Sequence, residues 1–222
     1  MPEKCSTFSS FFKQIMGFDP MLLVALLIVI TIHEFSHALV ANFFGDPTAR
    51  LAGRLSLNPL RHLDPVGVIM MLIIHIGWGR PVPVNPRYFK NPKRENALTA
   101  LAGPISNLLM AIILAVPLKY FGSKMPLEIA TFLATLLDVN ILLFAFNMLP
   151  FPPLDGSKII GMIIPKRYEH WYHDYLNKGV AYFVIFLLFD QFILARLFEY
   201  SILSQFIGFI YTFVKSLVFL GT

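Results

Sequence analysis

The sequence predicts an all-α, multi-span membrane protein of about five to six transmembrane helices with a small membrane-associated β segment. Three observations predict it. First, 56% of the 222 residues are hydrophobic and only 14% are charged, above the roughly 45–50% apolar content of ordinary soluble domains. Second, the apolar residues form runs near the ~20 residues that cross a hydrocarbon layer. Third, the charges that give a net +5 lie mostly between those runs. Lys and Arg in such loops are the mark of a membrane topology rather than of a nucleic-acid surface, so a nucleic-acid partner is excluded.

The first run, 21–44, follows Pro20, which suits a first helical turn, and stops at Gly45-Asp46-Pro47. The first 20 residues lack the basic-then-apolar order of a leader, so this run is expected to be a retained helix. Residues 50–59 alternate in part and predict a strand. Residues 66–76 are apolar but short for a span and predict a re-entrant or tilted element. Pro81, Pro83 and Pro86 make 80–87 extended, with Val82 and Val84 alternating as on an edge strand. Runs 97–121 and 127–148 are the second and third spans. Gly103-Pro104 is expected to kink the former, and Pro150, Pro152 and Pro153 end the latter. A short piece at 159–164 precedes the last two spans, 179–194 and 202–220. The whole chain, 1–222, reads as one membrane-embedded domain, with a core of about 20–165 and C-terminal helices at about 177–220.

Loop charge sets orientation. The 45–96 loop carries Arg50, Arg54, Arg61, Arg80, Arg87, Lys90, Lys93 and Arg94, and the loop near 158–178 adds Lys158, Lys166, Arg167 and Lys178. The positive-inside rule places both in the cytoplasm and the N-terminus outside, in the cell membrane. This requires that 66–76 does not cross and that the first and third spans run parallel.

Two stretches carry chemistry. In His33-Glu34-Phe35-Ser36-His37 the two histidines are four apart, one helical turn, so both imidazoles can reach one zinc ion. Glu34 sits beside them as a general base. The unbroken hydrocarbon of Leu22 to Ile30 leads directly into these residues. Each ionisable group costs about 2.5–3.5 kcal/mol at a helix centre, so intramembrane placement points to function. The second stretch, Asn147 to Gly156, breaks a span with prolines, and irregular backbone at membrane depth must be buried in protein or line a wet cavity. Asp155 on it either caps the next helix or turns to the metal. In the latter case two imidazoles and one carboxylate form a catalytic zinc set with an open position.

These residues resemble the site-2 protease family of intramembrane zinc metalloproteases, in its compact branch without PDZ or CBS domains. His33, Glu34, Ser36 and His37 match the zinc helix. Asn147, Pro150, Pro153, Leu154, Asp155 and Gly156 match the family's Asn-x-x-Pro-x-x-Pro-Leu-Asp-Gly signature, and Gly103, Pro104 and Asn107 match a Gly-Pro-x-x-Asn element. The resemblance covers about 20–165. It implies one Zn2+ per chain on His33, His37 and Asp155, with Glu34 as base. Asn107 and Asn147 are implied as catalytic helpers that orient substrate or steady the oxyanion, against the plainer role of hydrogen-bonding helices together. The implied activity is hydrolysis of a peptide bond in or near a transmembrane helix of a membrane protein partner, within the lipid bilayer.

Two rivals share the pattern. A metal-moving transporter also uses broken helices and midplane ionisable groups, and an inactive scaffold would keep the fold without needing Glu34. His170 and His173, among Trp171, Tyr172 and Tyr175, read as a wet interfacial belt. His62 and His75 read as structural. Segment 81–85 is expected to offer an edge for strand addition to an unwound substrate.

Overall fold

The computed structural model describes residues 19–64, 67, 79–198 and 200–219. The described chain is mostly helical. Helix α1 spans Pro20–Phe43, α2 Pro92–Phe121, α3 Leu127–Asn147, α4 Asp155–Gly161, α5 Glu169–Phe189 and α6 Ile202–Val218. Among the described residues four helical stretches are long and apolar enough to cross a membrane: Pro20–Phe43, Pro92–Lys124, Leu127–Asn147 and Lys166–Phe198. The expected final span, α6, is shorter at 17 residues.

The outward faces match a lipid surroundings. Ile105, Leu109, Ile112, Ile113 and Val116 of α2 are exposed, as are Val184, Ile185 and Leu188 of α5. Inside, α2 packs against α1, α3 and α4. Lipid tails are as apolar as leucine, so close packing rather than water exclusion must hold such helices together. Small side chains serve that purpose: Ala25, Ala38 and Ala41 of α1 and Ala97, Ala100, Ala111 and Ala115 of α2 are all buried. Leu137, Ile141 and Ala145 of α3 fill the space between.

Helix ends follow local chemistry. Asp19 accepts from the Met21 amide at 2.9 Å and caps α1, with Pro20 at its first turn. At the other end Gly45, at φ 96°, donates to Asn42 O, and Asp46 donates to Ala41 O. That double bond around a left-handed residue is a Schellman motif. It repeats at once: Gly53, at φ 66°, donates to Arg50 O, and Arg54 to Ala49 O, closing the one-turn helix Thr48–Leu51.

This second turn is why the strand expected over 50–59 is absent. The Asn58 side chain then caps another turn, Pro59–Arg61. Partial alternation here serves turns, because side-chain acceptors and a left-handed glycine satisfy the backbone locally. Among the described residues the only β pairing is an isolated antiparallel bridge, Leu63 to Gly79. The 66–76 element lies outside the described residues apart from Gly67. Helix α2 runs continuously through Gly103-Pro104, with Pro104 and Pro117 inside it.

Segment 80–85 forms neither helix nor strand, and it is pinned along its length. The Arg80 amide donates to His62 O at 2.9 Å. Arg54 Nη2 donates to the Arg80 carbonyl. The Asn85 amide donates to Asp46 Oδ2 at 2.7 Å. Asp46, fully buried, also takes the amide and hydroxyl of Thr48. The chain therefore leaves α1 and returns towards α2 at the same end of the bundle.

In the C-terminal part, α5 passes into a π-helical turn, Asp190–Leu194. Asp190 accepts from Ser201 Oγ at 2.6 Å and from the Ile202 amide at 2.7 Å, anchoring the start of α6. Farther along α6, Tyr211 and Lys215 reach Asp138 of α3 at 2.7 and 2.9 Å.

Candidate metal centre

Three side chains from two ends of the sequence meet at one point. His33 and His37, one turn apart in the second half of α1, are 5% and 8% exposed. Their Nε2 atoms stand 3.0 Å apart. Asp155, the first residue of α4 and 6% exposed, brings Oδ2 to 3.2 Å from His33 Nε2 and 3.1 Å from His37 Nε2. It does not act as a helix cap: Leu154 precedes the helix without a side-chain cap, and Ser157 Oγ donates to Leu154 O.

The backbone brings Asp155 there by close contact. A Cβ on Gly156 would lie 2.6 Å from Met148 O and closer still to Leu149 O. Only glycine lets α4 begin directly against the turn that ends α3. Gly103 does the same on the opposite wall, where a Cβ would stand 2.6 Å from His33 Nε2 and nearer to His37 Nε2. Helix α2 can thus approach the imidazoles at backbone distance. The contact of Asp155, eight residues past the end of α3, with both histidines brings the turn after α3 against the second half of α1.

The donor set fits zinc. His37 Nδ1 faces the Thr99 carbonyl at 2.7 Å. A carbonyl only accepts, so Nδ1 carries the proton and Nε2 presents a lone pair. His33 Nδ1 faces Asn107 Oδ1 at 2.6 Å in the same sense. With both rings neutral, two imidazole lone pairs and a carboxylate oxygen converge, an arrangement that a cation satisfies. Tetrahedral zinc with bonds of about 2.0–2.1 Å has ligand–ligand edges of about 3.3 Å. The observed edges of 3.0–3.2 Å are close to that. Among the described residues this is the one group of three or more His, Cys, Asp or Glu side chains able to hold a metal.

Glu34, next to His33 on α1, is half-buried. Its Oε2 accepts from the Val82 amide at 3.0 Å, which ties the carboxylate to segment 80–85. Arg54 lies behind that segment. Burial pushes its guanidinium below the ordinary value, and the negative charge of Glu34 opposes that shift.

The two asparagines differ in placement. Asn107, fully buried on α2, contacts His33 rather than an open face, and its Nδ2 donates to Asn140 Oδ1 at 3.1 Å. Asn147 ends α3 half-buried, with Nδ2 donating to Leu143 O of its own helix at 3.1 Å. His62 is buried and bonds Ser56 O at 2.7 Å, away from the metal group. His170 and His173 are exposed on α5, and His75 lies outside the described residues. Thr99 and Asn140 were not read from the sequence as parts of the site; Gly103 was read only within the Gly-Pro-x-x-Asn element and Val82 only on the substrate edge, not as neighbours of the histidines and Glu34. Thr99 and Val82 act through backbone atoms, which leave no trace in side-chain type. Asn140 was visible as one of two amides, with Asn147, in the apolar run 127–148.

Comparison with known proteins agrees with this chemistry. The pattern of peptidase family M50 matches residues 21–126 and 118–190. The chain is 45% identical over 153 residues to a protein of Bacillus subtilis (strain 168) named "Putative zinc metalloprotease YwhC", covering 66% of this chain and 70% of that one. It is 31% identical over 146 residues to "Putative zinc metalloprotease Rip2" of Mycobacterium tuberculosis (strain H37Rv), covering 63% and 56%. It is 25% identical over 177 residues to "Zinc metalloprotease MJ0392" of Methanocaldococcus jannaschii, covering 78% and 43%. The matches thus span about half the length of the mycobacterial and archaeal relatives. No solved structure matches the chain significantly. The chain belongs to peptidase family M50 and is a site-2 type membrane metalloprotease that uses zinc.

Proposed function

We propose that this chain hydrolyses a peptide bond within or near a transmembrane helix of a membrane protein substrate, in regulated intramembrane proteolysis. The observation that carries the reading is the convergence of His33, His37 and Asp155 beside Glu34 in a bundle whose outer faces are apolar. In this reading the three hold one Zn2+ per chain. Bound there, zinc supplies Lewis acidity towards a peptide carbonyl and towards water. Glu34 takes the proton from water and returns it to the leaving amine. Asn107 serves the reaction through His33. Asn147, at the proline break after α3, is the helper assigned to the substrate.

A helical substrate hides its carbonyls, so it must unwind before attack. Unwound backbone needs partners in a low-dielectric site, and segment 80–85 offers an edge. The Val82 amide is already engaged by Glu34, and Pro81 and Pro83 have no N–H, so Val84 supplies the remaining amide donor of 81–84. The test uses the full chain in vesicles with a single-span substrate. The protein cleaves that substrate and not the same peptide free in solution, and in a Glu34→Gln background a photoreactive residue at Val84 captures it near the scissile bond. Equal cleavage of the soluble peptide would overturn the intramembrane reading. Capture from the helical spans alone would overturn strand addition.

The proposed setting is the cell membrane, with the N-terminus outside and the 45–96 loop cytoplasmic. Support comes from the loop charges and from the Asn85 to Asp46 bond, which brings the two ends of that loop together. In a Cys5→Ser background, Asn58→Cys and Lys90→Cys are both labelled from the cytoplasmic side only. Labelling from opposite sides would refute the topology.

A further inference from the structure

We infer that Asn140 is a positioning residue that sets, through Asn107, which ring nitrogen of His33 bears the proton. The inference rests on the reading of His33 as a zinc ligand. An imidazole can bind metal through Nε2 only when Nδ1 holds the hydrogen. His37 is held in that form directly, because its Nδ1 meets a peptide carbonyl, Thr99 O. His33 is not. Its partner is a side-chain amide, and the two ends of an amide have nearly the same shape. Turned one way, Asn107 accepts from Nδ1–H. Turned the other, it would donate to Nδ1, favour the Nε2–H form and block the metal.

The direction of Asn107 is decided one residue further away. Asn140 Nδ2 donates to Leu136 O at 2.8 Å, one turn back on α3. A peptide carbonyl cannot donate, so this bond fixes the Asn140 amide with its oxygen towards α2. That oxygen accepts from Asn107 Nδ2 at 3.1 Å, which turns Asn107 Oδ1 to His33 Nδ1 at 2.6 Å. Both amides are within 1% of full burial, so no water competes for either end. The relay runs Leu136 O, Asn140, Asn107, His33, and each link has only one orientation that avoids facing like against like.

The test measures zinc affinity of the purified full chain by competition with a chromophoric chelator, with helix content and thermal melt followed in parallel. Asn140→Leu keeps the branched outline of the side chain, removes its hydrogen-bonding ends and frees Asn107 to turn. It should weaken zinc by about 10–100-fold, the range seen when a partner of a metal-bound histidine is lost. Asn140→Asp should stay within a few-fold of wild type, because it presents an oxygen to Asn107 whether protonated or not. Asn140→Ser should behave like Asn140→Leu. Its hydroxyl would bond back to Leu136 as Ser36 does to Ile32 and end short of Asn107, so this variant decides the matter should Asn140→Leu fail to fold. In an Asn107→Leu background, Asn140→Leu should cost nothing further, since the effect travels through Asn107.

Wild-type zinc affinity in both Asn140→Leu and Asn140→Ser would overturn the inference, as would an equal loss with and without Asn107. A different result would sink the ligand reading itself: wild-type zinc binding in His33→Ala.

Discussion

Glu34→Gln leaves one zinc per chain in place and removes hydrolysis. Glutamine keeps the length and shape of the side chain, and its oxygen can still accept from the Val82 amide as Glu34 Oε2 does at 3.0 Å. What disappears is the ability to take a proton. General acid–base groups contribute about 10²–10⁴-fold to rate, and Glu34 serves twice, on water and on the leaving amine. The expected loss is therefore at the upper end of that range or beyond. Turnover of a reconstituted single-span substrate reads the rate, and elemental analysis of the same preparation reads the metal. Turnover above about one-hundredth of wild type would mean that another group supplies the base. Retained metal transport in this variant would favour the transporter reading instead.

The second large effect is loss of the metal. Asp155→Ala and His37→Ala each remove one of three donors whose atoms lie within 3.2 Å of one another. Two protein ligands bind zinc far more weakly than three, and the remaining lone pairs still repel one another. Zinc content should fall from about one per chain to near zero after dialysis against a chelator of moderate strength, with activity lost in parallel. The helices should remain, because their packing rests on alanines and leucines that neither substitution alters. Full zinc content in either variant would show that the ion is held elsewhere.

Much of this site was legible in the sequence because its chemistry is carried by side-chain type and spacing. His33 and His37 needed only the period of a helix to be placed on one face. Asp155 needed the prolines before it, which excluded a continuing span and left a carboxylate on irregular backbone. What could not be read was contact through the main chain. The Thr99 carbonyl, the Val82 amide and the bare backbone at Gly103 have no chemical signature in a string of letters, since every residue carries the first two and glycine has many uses. The strand expected at 50–59 failed for a related reason. Alternation over ten residues was outweighed by Gly53 and Asn58, whose turn geometry satisfies the backbone locally. Asn107 was recognised as important, and its contact with His33 came from packing between α1 and α2, which spacing along the chain cannot give.

The bond between α3 and α6 bears on how the protein is assembled. Asp138 lies near the middle of α3, where an unpaired carboxylate costs about 2.5–3.5 kcal/mol in a bilayer. Lys215 and Tyr211 meet it from α6, at 2.9 and 2.7 Å. Helix α6, only 17 residues long and with Lys215 in its last turn, is short for a span that inserts alone. Neither helix is therefore at its best as a free span. Helix α6 completes the charge balance of a segment made some 75 residues earlier. Until α6 arrives, α3 has reason to stay near water or the insertion machinery, so the helix leading into the zinc-site aspartate settles in the lipid only after α6 has been made.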